Sequence, residues 1–461
     1  MRVLFATAEF SPVARVGGLA EAASGLVAAL RATGVDVDVV LPDYGDLELA
    51  GQEELAVDVP DWVGGVRVRR GRHRTAGELT LVHVPGMDRP HPYVDRNGDG
   101  WPDNAHRFMS FSAGIAALAD RLGPDVVHLN DWHTSAALGL LAEPPPTVLT
   151  IHTLGYQGVT DGAWLDRLPV EPERFAWYGG ANPLAGAIEL ADRVVAVSPN
   201  YAAEIVTEEN GMGLHERLAA RGERLIGIRN GIDASVWDPT IDPIIAANYS
   251  VADLGGRTRS RDELAAEAGW PNDNVPIVGM VSRLVEQKGI DLVLDATRFL
   301  EMLPARLAVL GAGAADLTAG LAEAGADHPD RVWFFDGYDE ALAHRLFAGS
   351  DLFLMPSRFE PCGLAQMQAM TYGSIPVVTD VGGLHDTVVD ADRDRAAGTG
   401  FVTTTVDSAG VVDALHRAVR GLRHARRRSA IQRRGMAVDW SWASPAAAHV
   451  DLYLSLVKGR G

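Results

Sequence analysis

Short apolar runs alternate with longer segments that carry apolar residues on one helical face, beginning at the N-terminus. The runs have the length of buried strands and predict strands at residues 3–8, 35–41, 79–84, 126–129, 148–151 and 194–197. The segments between them predict helices at 17–30, 104–118 and 135–141. This alternation predicts a mostly parallel sheet, with functional residues following the carboxyl ends of its strands.

The same alternation starts again after a polar stretch at residues 239–261. It predicts strands at 276–281, 306–310, 332–335, 352–355 and 376–378, and a helix at 290–300. We therefore predict an α/β chain of two facing Rossmann-like domains with a central cleft. The first domain covers 1–240 and the second 241–440, and a last helix within 441–461 crosses back to the first.

Composition narrows the class of protein further. Of 461 residues, 47% are hydrophobic and 22% are charged, as in globular proteins. The net charge of −20 argues against nucleic acid or an anionic membrane as a partner. A single cysteine, Cys362, cannot form an internal disulfide, and we see neither a signal peptide nor an apolar run long enough for a membrane span. These features predict a cytoplasmic protein, and they leave its oligomeric state open.

Three patterns imitate cofactor or metal sites. Residues 95–100 begin like a calcium loop, but His106 stands where a bidentate glutamate is needed. Gly311 and Gly313 follow a predicted strand without the third glycine of a dinucleotide fingerprint, which argues against a nicotinamide-dependent oxidoreductase. The acidic pairs at 36–38 and 390–392 lack supporting ligands for a metal. We therefore predict a turn at 95–100, a tight strand-to-helix turn at 311–313, and no metal and no cofactor.

Two segments carry features suited to binding phosphate. Arg15 precedes Gly17 and Gly18 at the start of a predicted helix, where glycine permits close approach and N–H groups face an anion. Arg283 and Lys288 follow the strand predicted at 276–281, and together they could neutralise a departing diphosphate.

A third segment follows the strand predicted at 352–355. Glu360 lies there between two turns, where a carboxylate could bind sugar hydroxyls or face a developing oxocarbenium charge. Gly363 and Leu364 stand at a predicted helix start, which would offer further N–H groups to a phosphate. Ordinary solvated charges and a helix cap are the simpler alternatives for these segments.

The order of these motifs resembles the bacterial glycogen synthase and plant starch synthase family. The resemblance rests on Asn130-Asp131-Trp132-His133, on Thr150-Ile151-His152, and on the blocks around Arg283, Lys288 and Glu360. Further matching blocks lie at 15–21, 101–108, 153–158, 196–199, 230–233, 337–338, 361–366, 382–384 and 386–388. The matching blocks span nearly the whole chain.

The resemblance implies a GT-B fold and metal-independent transfer of a sugar from a nucleotide-sugar donor, with retention at the anomeric carbon. It implies that Gly18, Arg283 and Lys288 contact the donor phosphates and that Glu360 lies beside the donor sugar. His152 and Asp131 match positions near that sugar and the carbohydrate acceptor. Tyr338 matches an aromatic residue that stacks on the nucleobase. The family's leaving phosphate takes the acceptor's proton itself.

The chain departs from the family pattern at several polar positions. The differing residues are Arg15, where the family carries lysine, and Thr153, Gly180, Ala185, Ala365 and 379–381. The leading hypothesis is transfer of glucose from ADP-glucose to an α-1,4-glucan. The departures motivate an alternative, a transferase or pseudo-glycosyltransferase that joins a modified sugar or cyclitol to a sugar acceptor in secondary metabolism. A further alternative is a non-catalytic relative that only binds sugar nucleotides.

Overall fold

The computed structural model describes residues 1–45, 47–96, 98–297 and 304–459. The chain divides into two compact units, which we describe separately. Unit 1 comprises Met1–Gly231 with Trp442–Gly461, and unit 2 comprises Ile232–Ser441. The division falls after Gly231, so residues 232–240, which the sequence analysis gave to the first domain, belong to unit 2.

Unit 1 alternates strands and helices as predicted. Its elements before unit 2 are β1 Arg2–Ala6, α1 Gly18–Ala32, β2 Asp36–Pro42, β3 Ala50–Leu55, β4 Arg67–His73, β5 Gly77–His83, α2 Asn104–Leu122, β6 Val126–Asn130, α3 Trp132–Ser135, β7 Thr147–Ile151, β8 Thr160–Asp161, β9 Ala176–Trp177, β10 Gly180–Ala181, α4 Pro183–Leu190, β11 Arg193–Ala196, α5 Pro199–Glu204, α6 His215–Ala219 and β12 Leu225–Gly227. The helix predicted at 135–141 is instead α3 followed by a 3-10 turn at Ala136–Gly139.

The main sheet of unit 1 has the strand order β12-β11-β7-β6-β1-β2-β5-β4-β3. Seven of these strands run parallel, while β4 pairs antiparallel with both β3 and β5. β3 and β4 were not predicted, because β3 is exposed and polar along its length and β4 carries four arginines. The six strands that were predicted run parallel as expected, whereas the three-residue edge strand β12 was not predicted. β6 and β7 end side by side at the carboxyl edge of the sheet.

Unit 2 repeats the βα alternation with a smaller sheet. Its elements are α7 Gly255–Glu267, β13 Ile277–Val281, α8 Ile290–Thr297, β14 Arg306–Gly311, α9 Ala315–Asp327, β15 Val332–Asp336, α10 Glu340–Gly349, β16 Leu352–Met355, α11 Ala365–Thr371, β17 Ile375–Val378, α12 Gly382–Thr387, β18 Phe401–Val402, α13 Ser408–Leu422 and α14 Ala425–Met436. The sheet has the order β15-β14-β13-β16-β17-β18 and is parallel throughout. Positions 298–300 of the predicted helix lie outside the described residues.

The last helix, α15 Ala443–Gly459, completes the core of unit 1. Trp442, Leu452 and Tyr453 join a buried cluster with apolar residues of α1 and β1. A Cβ on Gly25 in α1 would lie 2.1 Å from Nε1 of Trp442, so the glycine permits this close contact. Across the described ranges, no helix combines the length and apolar character that crossing a bilayer requires.

Candidate active site

The loop that follows β13 in unit 2 carries Arg283 and is fixed by backbone hydrogen bonds. The N–H of Leu284 donates to the carbonyl of Ala312 at 2.9 Å, and that of Ala314 donates to the carbonyl of Leu284 at 2.8 Å. A Cβ on Gly313 would lie 2.2 Å from the Leu284 oxygen. The predicted tight turn at 311–313 is confirmed, since its second glycine is needed for contact with this loop.

Lys288 and Glu360 form the closest ion pair of the candidate residues in unit 2. Nζ of Lys288 lies 2.5 Å from Oε2 of Glu360, and the side chains are 17% and 7% exposed. The hydroxyl of Ser357 donates to the same carboxylate oxygen at 3.1 Å. The carboxylate is therefore held in one orientation by two donors and is largely shielded from water.

The segments that carry this pair are tied to each other by their backbones. The N–H of Arg358 donates to the carbonyl of Gln287 at 2.8 Å, and the Gln287 amide donates to the carbonyl of Phe359 at 3.1 Å. Arg358 also pairs with Asp291 at 2.6 Å, and this hydrogen bond holds the pKa of that carboxyl below its usual value. These hydrogen bonds and the ion pair are formed within the protein, and they hold the segments that carry Lys288 and Glu360 at a fixed separation.

Four further predicted residues of unit 2 lie at exposed or turn positions or directly before a helix. Arg283 is exposed, and its guanidinium makes no hydrogen bond or ion pair with any residue that the structure describes. Tyr338 follows Gly337 after β15, and 69% of its surface is exposed. Gly363 has a φ of 72°, and Leu364 is the residue before α11. This loop geometry leaves Arg283 and Tyr338 accessible to a ligand.

The glycine loop at the start of α1 is built around a buried carboxylate that the sequence analysis missed. Glu9 is 5% exposed, and its Oε2 accepts the N–H groups of Val16 at 2.9 Å and Gly17 at 2.8 Å. Its Oε1 accepts the hydroxyl of Tyr93 at 2.9 Å. The N–H of Gly17 was expected to face a phosphate, but it donates to Glu9 instead. A buried carboxylate is stable only when hydrogen-bond donors of this kind surround it.

The other two predicted residues of this loop, Arg15 and Gly18, flank Val16 and Gly17 in the chain. Arg15 pairs with Glu21 at 3.1 Å on the surface. Gly18 is the first residue of α1. A Cβ on Gly17 would meet no atom within 4 Å, so space remains on that side of the loop.

Asp131 and His152 meet at the carboxyl edge of the unit 1 sheet. Asp131 directly follows β6 with a φ of 54°, a conformation that costs energy for a residue with a side chain and often marks functional positions. Its Oδ1 accepts the N–H of His152 at 2.7 Å. Burial raises the pKa of Asp131 to about 7, against the lowering effect of N–H groups from His152 and Thr153.

The hydrogen bonds of Asn130 set the protonation of the His152 ring. Nδ2 of Asn130 donates to the carbonyl of Ala6 at 2.9 Å, so its Oδ1 is the atom 2.9 Å from Nε2 of His152. Burial lowers the pKa of His152 to about 3, with a smaller contribution from His449. The neutral ring therefore carries its proton on Nε2, and Nδ1 is left as an acceptor.

A buried network behind His152 includes residues of α15 that the sequence analysis did not single out. His128 bonds Tyr453 through Nδ1 at 2.6 Å and Thr150 through Nε2 at 2.7 Å. His449 bonds the carbonyl of Pro445 at 2.8 Å. Burial holds the pKa of His128 well below its usual value and lowers that of His449 to about 4. The last helix thus supports the strand that presents His152.

These buried histidines predict that the protein loses stability as pH falls below about 6.5. The pKa values of His133 and His152 are about 3 in the fold, so only the unfolded chain gains protons there between that value and about 6.5. Each such histidine contributes up to about 1.4 kcal/mol per pH unit. Asp131 has the opposite effect on stability, because a raised pKa in the folded state stabilises the fold as the pH falls. Urea unfolding from pH 7 down to pH 5 measures the net slope.

His449→Gln supplies the control for this prediction. The variant removes one buried histidine while keeping a polar side chain of similar size, so the stability–pH curve should become flatter. A stability that is constant or rising towards pH 5 would contradict the assignment of neutral, buried histidines.

Two departures from the family pattern are explained by local packing. A Cβ on Gly180 would lie 2.6 Å from the carbonyl oxygen of Thr160. Ala185 is fully buried in α4, and its N–H donates to Oδ1 of Asn182 at 3.0 Å. A side chain at position 180 would collide with the backbone, and a lysine at position 185 would have to begin from a fully buried position. Thr153 accepts the N–H of Gly155 at 3.1 Å.

The remaining departures lie near Glu360. Ala365 is the first residue of α11. The hydroxyl of Thr379 donates to the carbonyl of Ser357 at 2.5 Å, and Asp380 pairs with His385 at 2.7 Å. Thr379 therefore supports the segment that carries the carboxylate.

Comparison with known proteins decides the family. The model of the starch synthase catalytic domain matches residues 2–220, and that of glycosyl transferases group 1 matches residues 261–434. A glycogen synthase of Halorhodospira halophila is 43% identical over the full length of both chains. The chain belongs to the glycogen synthase and starch synthase family. It is thus a hexosyltransferase with the GT-B fold, as the sequence predicted.

Two further relatives agree with this membership in the glycogen synthase and starch synthase family. A glycogen synthase of Granulibacter bethesdensis is 39% identical, again over the full length of both chains. The solved catalytic domain of starch synthase IV from Arabidopsis thaliana, bound to ADP and acarbose, is 31% identical with a TM-score of 0.88 and 99% of each chain covered.

Proposed function

We propose that this enzyme transfers glucose from ADP-glucose to the terminal 4-hydroxyl of an α-1,4-glucan with retention at the anomeric carbon. The observation that carries the proposal is the 43% identity over the full length of a glycogen synthase. The pairing of Lys288 with Glu360 supports it, because a cation can neutralise a departing diphosphate and a carboxylate can face the positive charge that develops at C1. We further propose that the enzyme works in the cytoplasm and without metal or cofactor.

Unit 2 supplies the leaving-group chemistry in this proposal. The bond between C1 of glucose and the β-phosphate oxygen breaks, and negative charge develops on the diphosphate. Arg283 and Lys288 neutralise that charge, and Tyr338 stacks on the adenine. Glu360 binds sugar hydroxyls and faces the positive charge that develops at C1. Gly363 and Leu364 present their backbone beside the donor.

Unit 1 orients the sugar and the acceptor. The acceptor oxygen bonds to C1 on the face from which the diphosphate departs, and the acceptor's proton passes to the departing phosphate oxygen. The products are ADP and a glucan longer by one glucose. With a pKa of about 3, His152 is a weak base, which supports proton transfer to the phosphate instead. Nδ1 of His152 accepts a sugar hydroxyl, and Asp131 holds the backbone of His152 in place.

The opening loop of unit 1 acts at the donor in the same proposal. Arg15, Gly17 and Gly18 lie beside the donor phosphates, where Arg15 supplies charge and Gly17 leaves space. Because arginine reaches farther and binds in a planar fork, replacement of Arg15 by lysine should weaken donor binding.

Release of ADP from ADP-glucose in the presence of glycogen tests the proposed function. We expect turnover with ADP-glucose to exceed that with UDP-, GDP- and dTDP-glucose, and we expect Glu360→Ala to abolish it. Turnover no higher than that of Glu360→Ala with every glucan would overturn the proposal. A protein that binds ADP tightly without any transfer would instead be the non-catalytic relative.

The alternative substrate class is a modified sugar or cyclitol. Full-length identity of about 40% to glycogen synthases from two organisms does not favour it.

A further inference from the structure

A small cavity in unit 1 is lined by His152 and by His449 of the last helix. Its volume of about 10 Å³ gives room for one water molecule. Asn130 and Thr150 also line it, together with apolar side chains of α1, β1 and β11. We propose that the cavity binds one buried water that bridges His449 to Asn130, and that His449 is thereby a positioning residue for His152. The catalytic part of this inference rests on the proposed function, in which His152 binds a sugar hydroxyl.

His449 presents an acceptor that needs a donor. The residue is 3% exposed, and its Nδ1 lies 2.8 Å from the carbonyl oxygen of Pro445, one turn earlier in α15. A carbonyl oxygen only accepts, so Nδ1 carries the proton of this ring, which burial keeps neutral by lowering its pKa to about 4. Nε2, at the far end of the ring, is therefore an acceptor, and it has no hydrogen-bond partner among the described residues.

The lining of the cavity favours a bound water over an empty space. A buried acceptor without a donor costs free energy, which a water molecule recovers by donating to it. Apolar cavities stay dry, whereas buried waters occupy places where about three polar groups converge. His449, Thr150 and Asn130 supply three such groups here, and Asn230 supplies a fourth.

Asn130 is the second partner that we assign to the water. Its Nδ2 donates to the carbonyl of Ala6 at 2.9 Å, and its Oδ1 accepts Nε2–H of His152 at 2.9 Å. An amide oxygen accepts two hydrogen bonds, so Oδ1 can accept one from the water as well. The water then donates one hydrogen to His449 and the other to Asn130. The amide that orients His152 is thus also held from the side of α15.

The water bridge gives α15 an effect on the proposed sugar site. A fixed Asn130 amide keeps the proton of His152 on Nε2, which leaves Nδ1 as the acceptor for the sugar hydroxyl. Without a polar atom at His449 the water loses a partner, and the Asn130 amide loses one of its constraints. Because the fold does not depend on this one bridge, its loss should lower kcat about three- to tenfold, as expected for a single hydrogen bond.

His449→Leu and His449→Gln test the inference together. Leucine has no polar atom, whereas the amide of glutamine can donate and accept near the position of Nε2. We expect His449→Leu to lower kcat about three- to tenfold and His449→Gln to restore most of the loss. The KM for ADP-glucose should not change, because adenine and diphosphate bind to other residues. High-resolution crystal structures should show the water between His449 and Asn130 in the unchanged protein and in His449→Gln, but not in His449→Leu.

Two further variants separate positioning from packing. Leu452→Ala is the matched control, because Leu452 is a buried apolar residue on the same helix. It should lower the melting temperature without changing kcat. In a His152→Ala background, His449→Leu should lower kcat no further, because the bridge acts through His152.

Several results would overturn the inference. The first is an unchanged protein whose crystal structure shows no water in the cavity. The second is a kcat that His449→Leu leaves unchanged, or that His449→Gln or Leu452→Ala lowers as much, since packing of α15 would then explain the effect. A further fall of equal size in the His152→Ala background would also contradict the positioning role. Failure of the proposed function looks different: the unchanged protein would transfer no glucose, and the crystal structures would still show whether the water is bound.

Discussion

Replacing Lys288 with alanine should lower kcat by about 10²-fold or more, within the range found for single electrostatic donors. Nζ of Lys288 is fixed 2.5 Å from Glu360 in a largely water-shielded place, where one charge has a strong effect. If the ammonium stabilises the departing diphosphate, its effect grows as the bond breaks, so kcat falls as well as affinity. Steady-state kinetics with ADP-glucose and glycogen measure both constants.

Lys288→Arg should also impair the enzyme, although it keeps the charge. The 41 basic residues include only two lysines, Lys288 and Lys458, so this chain uses arginine at nearly every cationic position. Arg15, which stands where the family carries lysine, is one example of this preference for arginine. A Cβ on Gly289 would lie 2.1 Å from the carbonyl of Pro356, which shows how closely the loop beside Lys288 is packed. A wider guanidinium cannot take the place of a compact ammonium there.

Lys458 supplies the matched control for both substitutions. It is exposed on α15, and Lys458→Ala and Lys458→Arg should leave kcat unchanged. If Lys288→Ala raised only KM, the residue would be a docking contact. The leaving-group role would then pass to Arg283.

Glu360→Gln should lower kcat about 10²-fold while keeping the shape of the side chain. The substitution removes the charge proposed to face the developing oxocarbenium ion, and it leaves the shielded ammonium of Lys288 without its counter-charge. Glu286→Gln is the control, since Glu286 is an exposed glutamate beside the same loop. Full activity of Glu360→Gln would remove this carboxylate from the mechanism.

The double variant Lys288→Ala with Glu360→Gln separates pair effects from individual ones. Because the two groups contact each other, the loss in kcat of the double variant should be smaller than the product of the single losses. Multiplicative losses would mean that each group acts on the substrate independently of the other.

The βα alternation was predictable because buried parallel strands are continuous apolar runs. The strand at Leu352–Met355 has its predicted bounds, and the others differ by a few residues at their ends. Strands β3, β4, β8, β9, β10, β12 and β18 were missed. β3 is exposed and polar, and β8, β9, β10 and β18 have only two residues each. Neither the length of such strands nor their pattern of apolar and polar residues distinguishes them from loops.

The candidate site was predictable where its residues stand in a motif that follows a predicted strand, as Arg283, Lys288 and Glu360 do. Glu9 was missed because its role depends on loop N–H groups and on Tyr93, 84 positions away. His449 and Tyr453 were missed because only the returning helix brings them to the sheet. One signal was available in the sequence, the scarcity of lysine, which marks Lys288 without any structure.

The product formed from ADP-[1-¹³C]glucose and maltotriose tests the central claim most directly. NMR should show the label at an anomeric carbon in a new α-1,4 linkage, with one ADP released for each glucose transferred. The Glu360→Ala variant should give no such signal above background. A β-linked product, label that remains in the donor, or transfer only to an acceptor that is not a glucan would contradict the account.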